Sequence, residues 1–386
     1  MSSMFKGNNI SLEEYNRIRN FQWSPNRYID LHKEGVHYFD SDIMPSNMDW
    51  RTSITLMRRG LTPPNMLPTY TDSETYRRIK EWYRYTYFRL KNGGVHHLGC
   101  ETNVQKESEY DSAKIRILLV RLSDYETVDG STGHYVISEW LRTYCSEPIF
   151  IDYACVPPRY DLYRYFKEDI PPLFGSITKR PPCDFDFVGI SHSPSLERLS
   201  MPLCFLRSGV PLFLWERLSK ELPYRSRTPI VFAGGMGVQN IESFIGDNPV
   251  HGAGMNSPLD HILIGEGENL DLSYIESYIN IVKRDKGSIE DWRNYVTHIR
   301  GVYDPTRVLF EYGDKVHIET DPDGKELDRR VFHNGGRIKS IYIIDNDGNK
   351  VKVCGEGVRE TEDLCSIQPY FLNPMERMNG TGTFGR

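Results

Sequence analysis

Four short segments of the sequence place hydroxyl, carboxylate, histidine and glycine residues directly after runs of apolar residues. They cover residues 121–125, 191–195, 233–237 and 265–268. Hydroxyl groups can donate hydrogen bonds to phosphate or amide oxygens, and glycines let a ligand approach the backbone closely. A single glycine is explained by a tight loop, but four such segments together favour a ligand site. We therefore expect a binding site for a cofactor or a nucleotide.

Two histidines, His134 and His192, lie in or beside such loops. They could serve in acid–base chemistry or metal binding, although a polar contact within the fold is the simpler role for a lone loop histidine. Carboxylates lie in the same loops: Asp124, Asp129, Glu266 and Glu268. No spacing pairs these carboxylates as a catalytic dyad, so the sequence names no catalytic residue.

Several well-known motifs are absent from the sequence. The first apolar run is followed by RLSDY, where a dinucleotide-binding protein would have G-x-G-x-x-G, and neither a P-loop, G-x-S-x-G nor H-E-x-x-H occurs. The seven cysteines are scattered, without CxxC or CxxxCxxC spacing. These absences argue against an NAD dehydrogenase, a P-loop NTPase, and a zinc or iron–sulfur site held by this chain alone. Scattered cysteines fit a reducing, cytoplasmic setting.

The central part of the chain alternates apolar runs with helical stretches. We predict strands at 115–120, 148–153, 184–191, 229–235 and 260–268, with a short strand or extended run at 210–215. We predict helices at 132–145, 157–168, 195–209, 238–245 and 270–284. Unbroken apolar strands joined by helices are typical of a parallel sheet covered on both faces. The fold class we expect is α/β, a Rossmann-like doubly wound parallel sheet.

The flanking regions differ from this centre, and we expect three regions: a mostly helical one at 1–110, the α/β domain at 111–300, and a β-hairpin-rich connector at 301–386. The connector carries predicted hairpins at 307–320 and 337–356. In the first region, a helix begins near Asp72 or Ser73 and interleaves basic and aromatic residues over 77–91. Such a pattern could contact nucleic acid, but amphipathic packing against the protein accounts for it more simply.

At these loops the chain resembles a known family. ILLVRLSDY, DFDFVGISHSPSLERLSMPLCFLRSGVPLF, PIVFAGGMG and DHILIGEGE are similar, in order and spacing, to the N-terminal cobalamin-binding-type domain of cobalamin-dependent radical SAM proteins. The resemblance covers about residues 115–285. It implies a domain that holds cobalamin against the strand ends.

The resemblance also implies roles for individual residues. Ser123 and Asp124 would lie near the lower face of the corrin, and the serines of 191–195 near the nucleotide tail. Gly234, Gly235 and Met236 would lie beside that tail or the corrin edge, and 265–268 would close the site. The full set of expected cofactor-binding residues is Leu122, Ser123, Asp124, Tyr125, Ser191, His192, Ser193, Ser195, Gly234, Gly235, Met236, Gly265, Glu266, Gly267 and Glu268.

Two departures from the family pattern shape the functional expectation. The D-x-H-x-x-G motif is absent, so cobalamin would be bound without a histidine ligand from the protein. No CxxxCxxC barrel follows the connector. We therefore expect the cobalamin-binding subunit, or N-terminal half, of a split radical SAM enzyme. A separate barrel chain would hold the 4Fe–4S cluster and S-adenosylmethionine in a heteromer. The missing barrel would also fit a truncated product or a stand-alone domain.

Two other functions are weighed against this expectation. One is a non-catalytic binding protein on the same scaffold that contacts nucleic acid through 77–91, and the other is a nucleotide-dependent transferase. The net charge of −6 argues against a protein that coats nucleic acid by charge alone. No stretch approaches ~18 continuous apolar residues, so no membrane span is expected.

Overall fold

A computed structural model describes most of the chain between residues 72 and 355. The described ranges are 72–90, 105–124, 133–158, 161–162, 164–165, 168–192, 197–218, 228–235, 238, 244–248, 250–265, 267–320, 326–332, 338–344 and 348–355.

A six-stranded, mostly parallel sheet forms the centre of the described structure. Its strands are β1 (Ile115–Arg121), β2 (Ile149–Cys155), β3 (Phe187–Ser191), β4 (Ile230–Gly234), β5 (His261–Leu263) and β6 (Val302–Tyr303). Their order is β2-β1-β3-β4-β5-β6. The first five are parallel, as predicted, and β6 pairs antiparallel with β5. The strand order reverses between β1 and β3.

Helices cover both faces of this sheet, as unbroken apolar strands require. One face carries α2 (Gly133–Tyr144), α5 (Gly267–Tyr278), which runs into a π-helical turn at Ile279–Arg284, and α6 (Ile289–Val296). The other face carries α3 (Glu197–Arg207) and α4 (Leu214–Leu218). Successive β1 residues alternate between the two cores, with Leu118 in one and Leu119 in the other. The structure is therefore a mixed α/β fold, which confirms the predicted fold class at that level.

A buried ion-pair network fixes β5 to its neighbours. Asp260 accepts hydrogen bonds from the Arg217 side chain at 3.0 Å and the Arg293 side chain at 2.8 Å, and from the backbone N–H of Val231. Burial alone would raise the pKa of Asp260, but the two guanidiniums hold it below its ordinary value. Arg217 lies on α4 and Arg293 lies on α6, on opposite faces of the sheet. The network therefore ties both helical layers to the start of β5.

The segment predicted as a short strand or extended run at 210–215 does not form a strand. Residues 210–213 are irregular, and the helix α4 begins at Leu214. The backbone N–H groups of Leu214 and Trp215 donate to the carbonyls of Ser257 and Met255, outside the sheet. The segment is apolar because it is buried under the sheet, since Val210, Leu212 and Leu214 belong to the core. Burial produced the same sequence pattern that a strand would.

The hairpin predicted at 307–320 is also wrong, whereas the one at 337–356 is confirmed. Strand β7 (Val308–Tyr312) pairs antiparallel with β10 (Ile338–Ile344), which pairs with β11 (Lys350–Gly355). Strand β8 (Lys315–Thr320) pairs instead with β9 (Glu326–Phe332). Val308 and Ile341 pack on the main core, while Ile318 of β8 is 44% exposed. Strand β7 therefore joins the small sheet that packs on the main core, whereas β8 leaves the apolar side chain of Ile318 exposed.

The basic and aromatic helix predicted after residue 72 is confirmed as α1 (Asp72–Thr86), with a 3₁₀ turn at Tyr87–Arg89. The α-helix ends at Thr86, and the described residues continue to Leu90. Its buried residues recur every three to four positions: Thr75, Ile79, Trp82, Thr86 and Leu90. Trp82 packs edge-on against Tyr165 at 4.6 Å between ring centroids. One face of α1 is therefore an ordinary packing face.

The polar segment before β1 is attached to the sheet where the structure describes it. The Gln105 side chain donates to the Ile149 carbonyl at 2.9 Å and accepts from the Ile151 N–H at 2.8 Å, both on β2. Tyr110 and Ala113 are buried. Among the described residues, none of the helices has the length and apolar character needed to cross a membrane.

Candidate functional site

A cleft opens where the parallel strands of the central sheet end. It has a volume of about 220 Å³. The carboxyl ends of β3, β4 and β5 border it, and the first turns of α2 and α5 close it. In an open α/β sheet, ligands bind beyond the carboxyl ends of strands where the strand order reverses. β1 and β3, the pair at that reversal, both contribute residues to the cleft.

The cleft gathers residues from three of the four segments singled out in the sequence. The expected site residues that line it are Ser191, Gly234, Gly235, Gly265, Gly267 and Glu268. The sequence prediction that these distant segments share one edge of the sheet is therefore reproduced by the structure.

Four of the expected site residues lie elsewhere in the described structure. Leu122 is 2% exposed and packs in the core on the α3 side of the sheet. Ser123 and Asp124 follow it at the end of β1 and do not border the cleft. His192 is buried, and its ring meets the edge of Phe244 at 5.4 Å. The remaining expected residues lie outside the described part of the chain: Tyr125, Ser193, Ser195, Met236 and Glu266.

The glycine after β4 has a structural reason of its own. Gly235 adopts φ +102°, which L side chains rarely adopt, and a Cβ there would lie 2.6 Å from the His192 carbonyl oxygen. The His192 N–H donates to the Gly234 carbonyl at 2.8 Å. This close approach of the β3 and β4 ends requires a glycine. The glycine-rich loop thus serves packing as well as the cleft wall.

His134 faces the cleft from the first turn of α2. It is 5% exposed, and its ring lies 3.9 Å from the Tyr135 ring and 5.6 Å from the Tyr153 ring. Its Nδ1 has no hydrogen-bond partner among the described residues. Burial disfavours the imidazolium, and the nearby charge of Arg121 adds to this, so the pKa of His134 is lowered to about 4. The ring is therefore neutral at physiological pH.

Asp271, on α5, is the cleft residue that sequence reasoning missed. It is 6% exposed, yet within the described structure it has neither a hydrogen bond nor an ion pair. Burial raises its pKa to about 7, and the neighbouring carboxylate of Glu268 contributes. A signal for it existed, because helical spacing places position 271 on the same buried face as Leu270, Tyr274 and Ile275.

The rest of the cleft is apolar. Its walls consist of aliphatic and aromatic side chains from the strands and from both helices: Leu119, Ile137, Ile190, Phe232, Leu263 and Leu270. The described lining includes no lysine or arginine. No group of three or more metal-binding side chains occurs among the described residues. The cleft therefore offers a mainly apolar space that a few polar residues border: His134, Ser191, Glu268 and Asp271.

Comparisons of the chain with family models, with curated proteins and with solved structures found no match.

Proposed function

We propose that this chain binds a cofactor of the cobalamin class, with the nucleotide end of the cofactor in the cleft at the strand ends. The observation that carries the proposal is the cleft itself. Segments far apart in the sequence, which resemble those of cobalamin-binding-type domains, border one space between Ser191, Gly234 and Gly267. The strand order 2-1-3-4-5 is that of doubly wound, flavodoxin-like Rossmann relatives, which bind their ligands at the same edge.

The dimensions of the cleft support a tail rather than a whole cofactor. Pockets that enclose a drug-sized ligand typically measure about 300–1,000 Å³. At about 220 Å³ the cleft is smaller, so it fits one flat end of a larger molecule. Leu119, Phe232 and Ile137 offer apolar surface to a heterocycle. The backbone at Gly234 and Gly267 has no side chain to obstruct the part of the ligand that leaves the cleft.

When bound, cobalamin supplies a cobalt centre suited to carrying a methyl group. The residues of this chain would bind and orient it. The chain has no CxxxCxxC spacing, so a 4Fe–4S cluster and S-adenosylmethionine would come from a separate radical SAM barrel chain in a heteromer. In this proposal the chain is the cobalamin-binding half of a split enzyme, inactive alone.

Reconstitution with hydroxocobalamin tests the proposal. We expect the 386-residue chain to retain one corrin per chain, measured by its visible spectrum after gel filtration. Cobinamide, which lacks the nucleotide tail, should bind about tenfold or more weakly. A chain that retains no corrin, with or without a barrel partner, would refute the proposal, and equal binding of cobinamide would refute the tail assignment.

Gly133 provides a matched pair of variants for the same experiment. It lines the cleft, and a Cβ built on it meets nothing within 4 Å. Gly133→Phe should therefore fill the cleft and reduce cobalamin binding without disturbing the core. Gly133→Ala should leave binding nearly unchanged. Loss of binding in both variants would indicate that the substitutions perturb helix α2, and not that the phenylalanine side chain occupies the cleft.

A second function is favoured by the outer face of α1. Tyr85 is 67% exposed and Phe88 60% exposed, with the guanidiniums of Arg84 and Arg89 near their rings at 5.7 Å and 5.3 Å. Exposed aromatics beside arginines are the elements of single-stranded nucleic-acid binding. Binding of a labelled oligonucleotide that weakens with salt and is lost in an Arg84→Ala, Arg89→Ala double variant would support it. Arg78 is unsuitable for this test, because it donates to the Glu168 carbonyl.

A further inference from the structure

Asp271 is a buried carboxyl group placed against a cleft and left without a protein partner in the described structure. It is 6% exposed, and neither a hydrogen bond nor an ion pair reaches it from the described residues. Buried polar groups in native proteins are nearly always hydrogen-bonded, because leaving one unsatisfied costs stability. A site that tolerates this cost is expected where a ligand completes the hydrogen bonds.

The position of Asp271 directs it toward the wall of the cleft. It lies one turn along α5 from Gly267, and its Oδ2 is 3.9 Å from the point where a Gly267 side chain would begin. Both residues line the cleft. His134 lies across from α5, on α2, with its buried Nδ1 also without a partner in the described part of the chain. Two polar groups, from two helices, thus border the same space.

The charge of the cleft argues against a phosphate in this position. Its described lining has no lysine or arginine, while Glu268 and Asp271 both carry carboxyl groups. The first turns of two helices point here, which favours an anion. Glu268, in the first turn of α5, already supplies negative charge at that helix end. The ligand end that fits is therefore neutral, apolar on its faces and able to donate hydrogen bonds at its edge.

From this geometry we infer that Asp271 is a specificity-determining residue. Its carboxyl group accepts a hydrogen bond from an N–H at the edge of a purine-type base held in the cleft. A carboxyl group matches such an edge in either protonation state. When protonated it donates and accepts, as the amino and ring nitrogens of adenine require, and when ionised it accepts from two N–H groups, as guanine offers. The alkylated benzimidazole of cobalamin has no N–H to give. The cleft should therefore prefer a purine-bearing ligand.

The inference rests on the cleft being the nucleotide-end pocket of the proposed function, and it names the chemistry of that end. Binding of adenosine, guanosine and the riboside of dimethylbenzimidazole, measured by calorimetry on the full chain, tests it. We expect at least one purine nucleoside to bind about tenfold or more tightly than the benzimidazole riboside. Equal affinities would overturn the inference.

Two variants of Asp271 separate recognition from folding. Asp271→Asn keeps one donor and one acceptor in the same place, so it should retain adenosine binding. Asp271→Leu has neither and should lose about tenfold or more in affinity for a purine nucleoside, with no loss for the benzimidazole riboside. Glu290→Leu, an exposed carboxylate on α6, is the control. A purine preference that survives in Asp271→Leu would overturn the assignment. Should the leucine variant fail to fold, the wild-type comparison still decides.

The same experiment distinguishes this inference from the proposed function. Cobalamin binding without any purine preference would leave the proposed function intact and refute the role of Asp271. Purine nucleoside binding without any corrin binding would leave the role of Asp271 intact and refute the proposed function. A corrinoid that carries adenine in its tail should bind more tightly than hydroxocobalamin if both are correct.

Discussion

Replacing Asp271 by asparagine should remove a pH dependence from the stability of the fold. The carboxyl group has a pKa of about 7 in the folded chain, against 3.8 when exposed. Because the folded state holds this proton more tightly than the unfolded state does, protonation stabilises the fold, and this contribution is complete below about pH 4. The contribution is lost as the pH rises toward 7. The difference between the two pKa values, at about 1.4 kcal/mol per pKa unit, corresponds to about 4 kcal/mol in the free energy of unfolding. Asp271→Asn cannot ionise, so it avoids this loss.

Urea unfolding of the wild type and of Asp271→Asn between about pH 5 and pH 8 measures the effect. The free energy of unfolding of the variant, relative to the wild type, should rise by about 2–3 kcal/mol from pH 5 to pH 7 and then level off. The packing of the amide adds an offset that does not vary with pH. The lowered pKa of His134 destabilises both proteins equally as pH falls below 6.5. A flat difference across this range would refute the burial argument for Asp271.

Three further substitutions probe the packing of the fold. Asp260→Asn removes the carboxylate paired with the buried Arg217 and leaves Arg293 with Asp304 at 3.7 Å, so it should lower the free energy of unfolding by about 3–5 kcal/mol, measured with urea; a loss below about 1 kcal/mol would contradict the network. Gly254→Ala should lower the free energy of unfolding by about 1–2 kcal/mol from the φ of +68° alone, and by more because the added Cβ would overlap the Pro305 carbonyl. An unchanged melting temperature would contradict this strain argument. Trp82→Ala should cost about 3–5 kcal/mol and expose α1 to limited proteolysis, since the ring packs on Tyr165, and unaltered protease resistance would show that α1 is held otherwise.

The strands of the central sheet could be predicted because burial on both faces produces a simple pattern. A run such as Ile115–Arg121 is apolar almost throughout, and helices between such runs favour parallel pairing. The same pattern led to a predicted strand at 210–215, because a buried irregular segment is as apolar as a buried strand. The pairing of β7 with β10 could not be predicted either. It depends on which strand reaches the main core, and the two residues between β7 and β8 suggest a hairpin regardless.

The candidate site was predictable only in part, for a related reason. Residues that end strands can be identified once the strands are, so Ser191, Gly234 and Gly267 were expected at one edge. Asp271 lies inside a helix, where a carboxylate suggests an exposed position. Its burial follows from helical spacing, because Leu270, Tyr274 and Ile275 lie on its side of α5 and pack against the sheet. The ends of the strands, from which the other site residues were predicted, give no information about that side of a helix.

The side chain of Gln105 has a consequence for how separate molecules meet. Strand β2 lies at one end of the sheet, so its outer backbone groups are available to the strand of another molecule. The carboxamide of Gln105 occupies the Ile149 carbonyl and the Ile151 N–H in the way a neighbouring peptide group would. A second chain would have to displace it before pairing there. The Gln105 side chain thus covers the first half of this sheet edge, and the Ser176 N–H, which donates to the Tyr153 carbonyl, covers the next outward group along the strand.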